Sequence, residues 1–143
     1  SKQEVAQERR ETEGDPLLKS RMQRTARALG RRRMLRDVQR ADVVVTNPTH
    51  LAVALKYDLA AAPAPLVLAM GRRKLAERIK AVAREAGIPM VENRPLAHAL
   101  LATATVGRPI PADLYAAVAE VLAYVYRRRH RARLAPAAAR RPA

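Results

Sequence analysis

An asparagine directly ahead of a proline has one intramolecular reaction left to it, and Asn47-Pro48 is such a pair. In other Asn-Xaa sequences the next backbone nitrogen attacks the side-chain carbonyl and the asparagine deamidates. Pro48 closes that route because its nitrogen carries no hydrogen. The reverse attack remains. The carboxamide nitrogen of Asn47 adds to its own main-chain carbonyl carbon, a succinimide forms, the Pro48 nitrogen is expelled and the chain is cut after Asn47. A carboxamide is a feeble nucleophile, so the fold must hold it in line, and alignment supplies about 7 to 11 kcal/mol in favourable intramolecular reactions. The tertiary X-Pro amide, twisted in a tight corner, would lose resonance as well. In the same tetrapeptide, His50 is suited to shuttle protons when neutral, and the backbone amides of Thr49 or His50 to stabilise an oxyanion. The plain alternative is that Asn47-Pro48-Thr49-His50 is only a turn, as most Asn-Pro pairs are.

Elsewhere the chain offers less chemistry. His98 lies in an Ala/Leu-rich stretch and reads as a half-buried packing residue; together with His50 it makes a poor metal site, so neither a metal nor another cofactor is expected. His130, within Arg127-Arg128-Arg129-His130-Arg131, reads as a solvated tail residue. Asp42 and Asp58 read as turn or strand-end residues, with orientation of His50 as the alternative role. Gly71 precedes Arg72-Arg73-Lys74 without the spacing of a phosphate-binding loop, which argues against nucleotide hydrolysis.

The elements that must position Asn47 follow from periodicity. Ala41 to Thr46 is a short β-branched run, a strand buried on both faces, and Leu51 to Tyr57 is another, so the residues between them form a hairpin or tight corner. Asp58 to Pro65 is a loop. Leu66 to Met70 is a third strand closed by Gly71. Leu75, Ile79, Val82, Ala83 and Ala86 form one stripe of a helix over 72–86 that Gly87 stops. Ile88 to Val91 is a short strand whose Pro89 keeps it at a strand end or sheet edge. A short helix follows Asn93-Arg94-Pro95, and a longer one opens at Pro111-Ala112-Asp113 and ends inside the arginine run. Upstream, residues 2–13 are polar all round, Gly14 is a hinge, and Asp15-Pro16 caps a second helix whose sparse stripe of Leu18, Met22 and Leu29 needs a partner surface. The expected fold is α/β, a small sheet of about four strands flanked by helices, with a long N-terminal helical segment and a disordered basic C-terminal tail. The divisions are 1–40 helical linker, 41–129 α/β domain and 130–143 tail.

Composition narrows the function. The chain has 143 residues, room for one modest domain and extended ends. With no cysteine it holds no disulfide or thiolate zinc site, and a reducing compartment is the simplest setting. Aromatics are 3%, all Tyr, too few for base-stacking platforms. No apolar run spans a bilayer and the start lacks a signal peptide, so the chain as given is expected to be soluble. The net charge of +15 lies at the ends: residues 1–40 carry +6 and the last 17 carry +7, whereas 41–71 carry −1. Basic arms about a nearly neutral core attract anionic lipid or nucleic acid alike. Arg31-Arg32-Arg33 reads as a solvated helix face, or as a contact for lipid headgroups or an acidic partner.

Val43 to His50, Val53-Ala54-Leu55-Lys56-Tyr57-Asp58, Glu13-Gly14-Asp15-Pro16 and Ile110-Pro111 through Tyr115 to Leu122 together resemble the type III secretion export switch proteins, FlhB in flagella and YscU in injectisomes. The resemblance covers residues 1 to about 129. It places the family's Asn-Pro-Thr-His motif on Asn47, Pro48, Thr49 and His50, and implies self-cleavage between Asn47 and Pro48, a single-turnover event. It further implies a cytoplasmic domain at the bacterial inner membrane, normally preceded by four membrane helices, with export-apparatus proteins and exported substrates as partners. Cleavage in the family is linked to switching from early to late export substrates, and sheet pairing is expected to keep the fragments together. Leu51 stands where many flagellar relatives carry Tyr; an apolar strand residue suffices there. Ala123 to Arg127 looks flagellar rather than injectisome-like. The alternatives are an injectisome homologue with the same mechanism, a docking platform whose corner never breaks, and a basic nucleic-acid-binding module using Arg31 to Arg33 and Arg127 to Arg133.

Overall fold

Three consecutive valines favour extended backbone where both faces of a strand can be covered. A computed structural model of the chain, which describes residues 1–5, 15–58, 60 and 63–134, places them in β1 (Val43–Asn47), each with no exposed surface. The chain turns through Pro48-Thr49-His50 into β2 (Leu51–Lys56), which pairs antiparallel with β1, Asn47 opposite Leu51. β3 (Leu66–Arg72) lies antiparallel on the far side of β2, and β4 (Met90–Glu92) runs parallel to β1, giving the order β3-β2-β1-β4. The two strands that meet at the corner are therefore the central pair.

Alternation along the strands builds two cores. Val43, Val45, Leu51, Val53, Leu55 and Val67 face a layer made of α3 (Arg94–Thr103) and α4 (Tyr115–Leu134). Val44, Ala52, Ala54, Leu68 and Ala69 face α2 (Arg73–Glu85), together with Leu35 from the end of α1 (Pro16–Asp37) and Val38 from the 3-10 turn after it. Leu68 and Ala69 share a face because the β2/β3 register shifts at Ala54/Leu55, as in a bulge. Each fully buried valine contributes about 1.5 to 3 kcal/mol over an exposed one.

The expected α/β sheet with flanking helices is present, and the differences are at boundaries. Gly71 does not close β3: it pairs with Ala52, and Arg72 pairs with Leu51. Its role is steric, because a Cβ on Gly71 would sit 2.5 Å from Leu75 Cγ on the first turn of α2. α2 ends at Glu85 and Gly87 takes the left-handed φ of 71° that the stop requires. Of the expected stripe, Ile79 and Ala83 are buried, Leu75 and Val82 half-buried and Ala86 exposed. α4 does not end inside the arginine run but continues to Leu134, past residue 130 where the sequence began the tail. Ala and Arg are good helix formers, and Arg128 reaches back one turn to the Tyr124 hydroxyl at 3.1 Å. The expected disordered stretch beyond it, 135–143, lies outside the described residues.

The chain divides into two compact units, 1–33 and 34–143. In the first, residues 2–5 are helical and α1 starts at Pro16, with the Asp15 carboxylate accepting from the Leu17 amide at 3.0 Å. Leu18, Met22 and Leu29 are all more than half exposed, so the sparse stripe is uncovered within this unit. The rest of the expected 2–13 helix and Gly14 lie outside the described residues. No helix among the described residues is long and apolar enough to cross a membrane.

Gly71→Ala drives a methyl into Leu75. The variant is expected to lose about 1 to 3 kcal/mol of stability, read from the midpoint of urea unfolding at unchanged slope.

Candidate functional site: the Asn47 corner

Asn47 ends β1, and the period of two puts its side chain on the face of Val43 and Val45, under the α3 layer. It is 7% exposed. Helix α3 is anchored beside it: the Asn93 amide donates to the Thr46 carbonyl at 3.0 Å, and the Asn93 side chain caps α3 by accepting from the Leu96 amide at 3.1 Å. One turn further along α3, His98 brings Nε2 to 3.1 Å from Asn47 Nδ2. With Nδ2 toward the ring the carboxamide nitrogen donates, and Nε2 can accept in the tautomer that carries its hydrogen on Nδ1.

The main chain closes the same corner. The His50 amide donates to the Asn47 carbonyl oxygen at 3.0 Å, spanning the turn with Pro48 at its second position, where proline is favoured. The described peptide bonds are all trans. On the opposite face of the sheet, α2 supplies Lys80, 7% exposed, whose Nζ donates to the Pro48 carbonyl at 2.5 Å and lies 2.7 Å from Glu77 Oε1. The hydrogen bond from Lys80, and then its charge, hold the Glu77 carboxyl below its usual range. The backbone under the corner is strained: Arg73 has φ 54°, the one non-glycine residue in the left-handed region among those described, and its amide donates to the His50 carbonyl at 3.0 Å. The corner is thus gripped from both faces and from below.

The four residues singled out from the sequence sit together but differ in setting. Asn47 is buried; Pro48, Thr49 and His50 are exposed. The His50 ring makes no hydrogen bond among the described residues, and its contribution to the geometry is its backbone amide. Neither aspartate orients it. Asp42 accepts from the Tyr57 amide at 2.7 Å, and Asp58 from the Ala60 amide at 3.0 Å. His98 departs from its expected packing role, being exposed and bonded to Asn47, because Leu96, Ala97 and Leu100 take the inward positions of α3. Lys80 went unremarked in the sequence, although a lysine four residues after Ala76 and three before Ala83 falls on the buried side of α2. Among the described residues no group of three His, Cys, Asp or Glu is placed to hold a metal. The groove along β4, lined by Met90, Val91, Glu92, Glu120, Val121 and Tyr124, includes no corner residue.

Fold and corner define a class: a small α/β domain with a mixed sheet whose central hairpin turns on Asn-Pro-Thr-His. The chain belongs to the FlhB HrpN YscU SpaS family, whose model matches residues 1–125. It is 53% identical over 126 residues to the flagellar biosynthetic protein FlhB of Yersinia enterocolitica, covering 88% of this chain and 33% of that protein. Over 127 residues it is 44% identical to FlhB of Bacillus subtilis, covering 89% of this chain and 35% of the relative. It therefore spans about a third of the length of these relatives. Among solved structures, it resembles the cytoplasmic domain of FlhB from Shewanella putrefaciens at TM-score 0.65 and 47% identity, over 67% of this chain and 74% of that one. It also resembles the EscU C-terminal domain, solved with an asparagine changed to alanine, at TM-score 0.62 and 32% identity over 64% and 92% of the two chains. The chain is a homologue of the FlhB cytoplasmic domain.

Lys80→Met keeps the buried stem and removes the charge. The Glu77 carboxyl is then expected to titrate upward, toward 4.5, by carbon-detected NMR. The sign follows from the lowered value: the wild-type pair stabilises above the ordinary carboxylate range and fades as pH falls through the lowered one, a dependence weakened in the variant, where Arg84 still acts on the carboxyl.

Proposed function

We propose that this domain cuts its own chain once, between Asn47 and Pro48, by cyclisation of the Asn47 carboxamide, and that the cut changes which substrates a type III export apparatus accepts during flagellar assembly. The observation that carries the reading is the His50 amide 3.0 Å from the Asn47 carbonyl oxygen. The carbonyl to be attacked already accepts a hydrogen bond that strengthens as negative charge develops on the oxygen. The nucleophile belongs to the same residue and is buried at the end of an ordered strand, so little freedom is left to lose. Nδ2 bonds to the carbonyl carbon, the bond to the Pro48 nitrogen breaks, that nitrogen takes a proton, and a C-terminal succinimide remains for water to open. The reacting residue is consumed, so there is one turnover.

The sheet is suited to survive the cut. β1 lies between β2 and β4 with its valines buried in both cores, so removing the upstream fragment would expose them all. Lys80 and the Arg73 amide still hold the Pro48 and His50 carbonyls after the bond to Asn47 is gone. A swing of the Pro48-Thr49-His50 segment that alters the surface around it then needs those two hydrogen bonds to break.

Relatives support the reading. The proteins matched at 44 and 53% identity are named flagellar. EscU has been solved with an asparagine altered and, separately, with the proline that follows it changed to alanine. The partners in this account are other export-apparatus proteins and exported substrates, and the site of action is the cytoplasmic face of the inner membrane, reached through membrane helices preceding the chain.

Denaturing mass spectrometry tests the cut. Wild-type protein is expected as one piece ending at Asn47 and one beginning at Pro48, which co-elute in native size exclusion; Asn47→Ala stays whole. An intact wild type, or cleavage that persists in Asn47→Ala, removes the proposal.

A further inference from the structure

Cyclisation needs a proton acceptor for Nδ2, because a carboxamide adds to a carbonyl only as a hydrogen leaves it. The ring of His50 makes no hydrogen bond among the described residues, whereas Nε2 of His98 lies 3.1 Å from the reacting nitrogen. We infer that His98 is the base for this reaction, accepting the proton from Asn47 Nδ2 as that nitrogen bonds to the carbonyl carbon. The inference rests on the cleavage reading above and deepens it.

The atoms balance. The Nδ2 proton passes to His98 Nε2, the Nδ2–C bond forms, and the negative charge on the Asn47 oxygen is met by the His50 amide. Collapse restores the C=O bond and breaks the bond to Pro48. The departing nitrogen belongs to Pro48, an exposed residue, and takes up a proton through water, as His98 gives one up and returns to neutrality. Nothing is oxidised or reduced.

Protonation of His98 opposes cleavage in two ways. It removes the lone pair that accepts the proton, and it turns Nε2 into a donor. A donor facing Asn47 favours the flipped carboxamide, with Oδ1 toward His98 and Nδ2 turned away. The charged groups around the imidazole are few. β1 and β2 turn only apolar side chains and Asn47 to this face. Arg94, on α3 itself, is paired with Glu92 of β4 at 3.3 Å, and Asp113 in the 3-10 turn packed on α3 is exposed.

The test follows cleavage by intact mass from about pH 5 to 9, across the span in which imidazoles titrate, for the wild type and variants freshly refolded from denaturant. The wild-type rate is expected to rise with pH and level off. His98→Ala should slow cleavage on the order of a hundredfold, lose the rise, and recover in part with added imidazole, which an exposed position admits. His98→Gln retains an oxygen that accepts from Nδ2 and so keeps the carboxamide in place; it should be slow and flat in pH. His50→Ala should keep the wild-type slope. Thermal unfolding of each variant reports whether it folds. Wild-type rate and slope in His98→Ala, or full rate in His98→Gln, overturns the role of His98 while leaving cleavage by Asn47 standing. Cleavage in Asn47→Ala, or none in the wild type, overturns both.

Discussion

The hydrogen bond from the His50 amide to the Asn47 carbonyl, across a turn closed by proline, is the constraint on which the proposed cleavage depends. It fixes the carbonyl; the His98 contact fixes the carboxamide of the same residue. A nucleophile and its target held on one side chain and its own backbone need no substrate pocket. What they need is a rigid frame, which the central position of β1 and β2 supplies.

Much of that frame serves to place the two helices that reach the corner. The parallel pairing of β4 with β1 carries the chain to Asn93, whose amide bonds to Thr46 and whose side chain starts α3; His98 then falls above Asn47. On the other face, the left-handed Arg73 turns β3 sharply into α2 and directs Lys80 to the Pro48 carbonyl. A lysine with so little exposure needs polar partners, and Lys80 meets both a carboxylate and a carbonyl. Strain at Arg73 and burial at Lys80 are local costs, offset by the apolar packing of both cores.

The corner itself was legible in the sequence because its chemistry is local: Asn before Pro, flanked by β-branched runs, is read within a dozen residues. The strands were legible for the same reason, and their ends shifted by a residue or two wherever pairing rather than composition set the limit, as at Gly71. The roles of His98 and Lys80 were not legible. Their partners lie 51 and 32 residues away, and both contacts exist only once the sheet order and two crossovers are fixed. His50 drew attention by closeness in sequence, yet it bonds to Asn47 through its amide and not through its ring. Sequence proximity picked out the corner from Asn47 to His50; the fold brought His98 to Asn47 and Lys80 to Pro48.

Part of the charge of the basic ends lies on exposed arginines of α1, and part on Arg127 to Arg133 in the last turns of α4. The central claim is that the scissile bond is broken by a carboxamide and not by water, and the most direct measurement is the mass of the upstream fragment in a sample quenched early in cleavage. The account predicts a fragment lighter by one water than the free acid, a succinimide at Asn47 that converts to the heavier form with time. A fragment that carries the full mass of the free carboxylate from its first appearance would contradict it.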